Sequence, residues 1–130
     1  MKTMNETHTS RDMRLTAERA LAAEVGEVLQ RGTQEHLQWQ GSSIDLMEAL
    51  HTAFCTYTLC DDEGQMLSFT AIVQRTCHML HTPVPRNPYE CAARGRRRKG
   101  QVRRPYMERY AMKVLSDPCR RPLWEQITTC

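Results

Sequence analysis

The sequence predicts an all-α fold, a small bundle of about five helices with a helix-turn-helix-like core. Two observations carry that expectation. Apolar residues recur at helical spacings of three and four in several windows, and no Asn-Gly or Asp-Gly pair sits between alternating apolar runs as a hairpin would require. The length of 130 residues suits one hydrophobic core and is too short for two.

A first helix is expected over 11–31. Ala17, Leu21, Val25 and Val28 share one face, Ser10 is available as N-cap and Gly32 is placed to end it. Residues 1–9 are expected to form a flexible N-terminus, and 10–32 a separate N-terminal helix able to pair with a second copy through 11–31. A second helix follows from about 43 to 59: Ser42 stands three residues before Asp45, a variant of the capping box, ahead of the stripe Ile44, Met47, Leu50 and Phe54. The run Asp61-Asp62-Glu63-Gly64 reads as a turn. Ser68 caps a third helix with Phe69, Ile72, Val73 and Leu80 on one face, and the proline-containing stretch 82–87 stops it.

Asn87-Pro88 has the chemistry of a helix start, an Asn cap followed by a proline at a position where its missing N–H costs nothing. That fourth helix runs into Arg96-Arg97-Arg98-Lys99, bracketed by Gly95 and Gly100. Pro105 opens a fifth helix, Tyr106 to Leu115, with Met107, Ala111 and Val114 on one face. Asp117-Pro118 ends it, and 122–127 form a last short turn. Residues 37–127 are thus expected to make one helical domain.

The charge is unevenly distributed along this scaffold. Residues 1–63 hold 5 basic and 11 acidic side chains, whereas residues 64–130 hold 13 and 4. Residues 94–109 alone carry 8 of the chain's 18 Lys and Arg side chains, a footprint for a polyanion. Seven positive charges within 94–104 cannot neutralise one another, and they sit between two apolar-patterned helices rather than at a terminus, where a solvated tail would lie. If the helix starting at Pro88 is a groove reader, Arg86, Asn87, Tyr89 and Glu90 near its start approach bases or phosphates. Arg94, Arg96, Arg97, Arg98, Lys99, Arg103 and Arg104 then contact the backbone as guanidinium forks or point charges.

Other chemistries find less support. Cys55, Cys60, Cys77, His78 and His81 include metal-binding residue types, but Cys55-x4-Cys60 lies at the margin of zinc-knuckle spacing, so no metal site is expected. Cys55 and Cys77, set among apolar residues, read as core thiols, and Trp39 and Trp124 as covers of the core edge. No phosphate-cradling glycine loop, His-Glu-x-x-His or Gly-x-Ser-x-Gly is present, so neither catalysis nor a cofactor is expected. No run of about 18 apolar residues offers a membrane span, and the N-terminus lacks an apolar signal core, which gives the expectation of a cytoplasmic protein with reduced thiols and no membrane partner.

One family pattern overlies these features. Leu37-Gln-Trp-Gln-Gly-Ser-Ser-Ile-Asp-Leu-Met-Glu-Ala-Leu-His, then Phe69-x-x-Ile-Val, then Tyr89-x4-Arg94-x-Arg96-Arg97-Arg98-Lys99 and a closing amphipathic helix make residues 37–115 resemble the C-terminal part of RteC-type regulators of conjugative transposons. The resemblance implies a helical domain that binds promoter double-stranded DNA, with Arg94, Arg96, Arg97, Arg98 and Lys99 as contacts. The chain is far shorter than such regulators, and its Cys- and Pro-rich linkers are its own. Its function is therefore expected to be DNA-binding transcriptional regulation, and the alternative is a helical protein-interaction or RNA-binding module using the same basic segment.

Overall fold

The computed structural model describes residues 2–31, 35–98 and 104–129, with side chains from Ser10 onward; Lys99 and Arg103 lie outside the described residues. Among the described residues, five helices, α1 (Lys2–Arg31), α2 (Ser43–Phe54), α3 (Phe69–Met79), α4 (Pro88–Arg96) and α5 (Tyr106–Ser116), form a small bundle. Two short strands, β1 (Leu37–Trp39) and β2 (Ile127–Thr129), pair antiparallel, with Leu37 opposite Thr129 and Trp39 opposite Ile127. No described helix is long and apolar enough to cross a membrane.

Three helices start where side-chain oxygens meet the free N–H groups of a first turn. Ser42 accepts from the Asp45 N–H at 3.1 Å, Ser68 from the Ala71 N–H at 3.1 Å, and Asn87 from the Glu90 N–H at 3.2 Å. α1 does not start at Ser10: the helix runs further back along the chain to Lys2, so Ser10 lies inside it. The acidic run closes as expected, with Gly64 at φ +83° and the Asp61 carboxylate accepting from the N–H groups of Glu63 and Gln65, both at 2.9 Å. This turn joins Cys60 and Met66 in an isolated β-bridge.

α2 is the centre of the bundle, packed by α1, α3, α4 and α5. One apolar stripe is not enough for a helix surrounded on all sides, and Asp45, Leu46, Met47, Glu48, Ala49, Leu50, Thr52 and Ala53 are all buried. On α1, Ala17, Leu21, Val25 and Val28 are fully covered by the chain's own core. The stripe expected to pair with a second copy is therefore already occupied within one molecule. α5 turns Tyr106, Tyr110 and Val114 inward and leaves Met107 and Ala111 half-buried, a rotation of about one position from the expected face.

The two-stranded sheet has no counterpart in the all-helical expectation. It closes the bundle edge: Trp39 N–H donates to Leu80 O, Gln40 N–H to Gln126 O, and the His81 ring pairs with Leu37 O at 2.7 Å. Trp39 donates its indole N–H to Ser42 O and Trp124 to Glu24 O, so both tryptophans cover the core edge with their polar ends satisfied. Cys77 is buried and its thiol is pushed up to about 11 by desolvation, but Cys55, expected in the core, is exposed at the end of α2.

Candidate nucleic-acid interface

The basic segment is held by carboxylates buried on α2. Asp45, with no exposed side-chain surface, accepts from Arg98 Nη1 at 3.1 Å and from Arg109 Nη2 at 2.7 Å, both on Oδ1. One turn later Glu48 accepts the backbone N–H groups of Tyr106 at 3.1 Å and Met107 at 2.9 Å. Pro105, at the N-cap of α5, makes no side-chain capping bond, so Glu48 caps α5 from another helix. Asp45 and Glu48 thus hold the chain on both sides of 99–103: Arg98 just past the end of α4 and Tyr106 at the start of α5.

Close approach of α4 to α2 depends on Gly95. A Cβ there would lie 2.6 Å from Glu48 Oε1 and 3.1 Å from Ile44 Cγ2. With Ala92 and Gly95 buried against α2, the helix turns Tyr89, Glu90, Arg94, Arg96 and Arg97 to solvent.

The expected contact residues separate into three groups. Arg98 is engaged by Asp45, and its side chain keeps only 20% of its exposure. Asn87 spends its Oδ1 on the α4 cap, and Arg97 pairs with Glu90 at 2.9 Å on the surface. Arg96 donates to His51 Nδ1 while remaining exposed. Arg86 and Arg94 are exposed and make no ion pair among the described residues; Arg104 is exposed, with a 4.0 Å contact to Met112 Sδ. Lys99 and Arg103 extend the run in sequence. Desolvation, aided by the nearby Arg96 charge, lowers the pKa of His51.

A second buried carboxylate site ties the C-terminal segment to α1. Glu24 accepts from Tyr110 OH at 2.5 Å and from the N–H groups of Leu123 at 3.3 Å and Trp124 at 3.1 Å. Desolvation raises its pKa, against the opposing pull of these hydrogen bonds and the Arg121 charge. Tyr110 and Tyr106 are also shifted upward, mainly by burial, and stay neutral phenols.

Sequence reasoning missed Asp45, Glu48, Glu24 and Arg109 as structural partners. A carboxylate inside an apolar helix window, as at Asp45 and Glu48 within Ile44–Phe54, is the signal that could have found two of them, since charge is not buried unpaired. No three His, Cys, Asp or Glu side chains among the described residues group as a metal site. No family model, curated protein or solved structure matches the chain.

Proposed function

We propose that the protein binds double-stranded DNA through the solvent face of α4 and the chain on either side of it, with Arg86, Arg94, Arg96, Arg97 and Arg104 on phosphates. The observation that carries this reading is the division of labour among the arginines. Arg98 and Arg109 have a buried counter-charge at Asp45, whereas Arg86 and Arg94 have none among the described residues and Arg104 has only a sulfur contact. Exposed guanidinium groups with no counter-charge attract a polyanion, and phosphate is their best geometric partner.

Glu90, at the start of the same helix, is the side chain that would approach base edges; Asn87 is occupied as the cap. Lys99 and Arg103 extend the phosphate-binding set on sequence grounds. A regulatory role at a promoter, and with it the link to mobile elements, belongs to the same proposal and is supported by the resemblance over residues 37–115 alone.

The test is fluorescence anisotropy with a labelled duplex. Replacing Arg94, Arg96 and Arg97 together with Ala should weaken all duplex sequences alike and reduce the log–log salt slope by about 3, at roughly 0.9 for each phosphate no longer neutralised. An unchanged affinity and slope would remove this surface from the interface.

A further inference from the structure

Beside the basic face lies a row of aromatic rings that no part of the phosphate-binding scheme uses. Phe69 is its buried floor, Tyr89 packs on it with centroids 4.6 Å apart, His51 meets Phe69 edge-on at 5.0 Å and Tyr89 at 5.7 Å, and Phe54 links Phe69 to Tyr57 at 5.9 Å each. The two outer rings are open to solvent, Tyr89 at 55% and Tyr57 at 65%. Tyr57 also adopts φ +56°, a left-handed conformation uncommon outside glycine, and its ring is nevertheless outside the core. Two exposed tyrosines joined through Phe69 and the half-buried Phe54 form a shelf rather than part of a core.

The charge around the shelf narrows its occupant. Arg96, on the same side of α4 as Tyr89, reaches the shelf at His51. Glu90, the carboxylate next to Tyr89, is paired with Arg97. Flat apolar faces next to cationic forks suit a ligand that alternates aromatic rings with phosphates, which is single-stranded nucleic acid.

We propose that Tyr89 and Tyr57 stack unpaired nucleobases of a single-stranded segment whose phosphates meet Arg96. The inference rests on the nucleic-acid reading above and adds a preference that paired bases cannot satisfy, because a base inside a duplex offers no free face to a ring. Tyr89 and Tyr57 thereby discriminate unpaired from paired strands, while Arg96 serves both.

The experiment compares binding of an oligothymidylate of about 12 nucleotides and of a duplex of the same length to the full chain, by anisotropy at about 0.1 M salt. Tyr89→Ala and Tyr57→Ala should each weaken the single strand by roughly tenfold and leave the duplex within twofold, and Tyr89→Phe should keep near-parental affinity. Because Tyr89 packs on Phe69, circular dichroism must show Tyr89→Ala folded; Tyr57→Ala, at the exposed end, serves as the second variant. Duplex binding with single-strand affinity unmoved by either tyrosine variant overturns the shelf and leaves the duplex reading standing. Equal losses on both polymers also overturn it, and absence of binding to either polymer overturns both readings.

Discussion

Replacing Gly95 with Ala tests the packing that displays the arginines. At an ordinary helical glycine this change stabilises, by about 1 kcal/mol in a helix interior. Here the new Cβ would meet Glu48 Oε1 at 2.6 Å, Ile44 Cγ2 at 3.1 Å and Glu48 Cβ at 3.3 Å. Glu48 cannot swing aside freely, since its oxygens hold the N–H groups of Tyr106 and Met107. Overpacking costs about 2 kcal/mol, within the usual range of about 1–3. Loosening the α5 cap costs about 1 kcal/mol more. After the helix-propensity gain the net loss is about 2 kcal/mol, or roughly 8 °C in Tm at about 4 °C per kcal/mol for a chain of this size. Thermal unfolding followed by circular dichroism reads it directly. A double-mutant cycle with Glu48→Ala isolates the cause: with the 2.6 Å contact removed, the Gly95→Ala penalty should fall by about half or more. Stabilisation by Gly95→Ala in the parent chain, or a penalty unchanged in the Glu48→Ala background, would refute the reasoning.

The remaining buried groups make their own predictions. Asp45→Asn removes the counter-charge of Arg98 and Arg109; two charge-assisted bonds would be worth about 3–6 kcal/mol gross, and because both guanidiniums can rehydrate the expected loss in urea unfolding is about 2 kcal/mol. Glu24 has its folded-state pKa raised above 4.5, so its contribution to stability is present at low pH and is lost as pH rises through the raised value; Glu24→Gln should gain Tm relative to the parent as pH rises above 4.5, and a constant difference would contradict the burial account. Asn87→Ala should cost about 1 kcal/mol in thermal unfolding through loss of the α4 cap, and an unchanged Tm would show the cap to be dispensable.

Much of the helical framework is legible in the sequence because its determinants are local. Ser42, Ser68 and Asn87 each precede an apolar stripe, and each does cap the helix it is expected to start. The acidic turn at Asp61–Gly64 is readable for the same reason, from a carboxylate and a glycine within four residues. The sheet is not: its strands have three residues each and lie some ninety positions apart, too short for a period and joined by no hairpin. The face of α5 departs from the expected one because Tyr110 turns inward to reach Glu24, 86 positions away, and local periodicity does not report that partner.

In the candidate site, the basic run is legible as charge but not as a set of roles. Arg98 and Arg94 are indistinguishable in sequence, yet one ends at Asp45 and the other in solvent. Arg94 lies on the exposed side of α4 itself, whereas Arg98 lies two residues past its end, within reach of Asp45 on α2. The apolar stripe of α1 is present as the spacing predicts, but its partners are α2, α3 and α5 of the same chain.

The salt dependence of duplex binding tests the central claim most directly. Five exposed arginines on phosphates, Arg86, Arg94, Arg96, Arg97 and Arg104, give an expected slope of log affinity against log salt of about −4.5, steeper if Lys99 and Arg103 also engage. A measured slope of that size supports a phosphate-binding surface around α4. A flat response between about 0.05 and 0.2 M salt, or no duplex binding at the lower value, would contradict it.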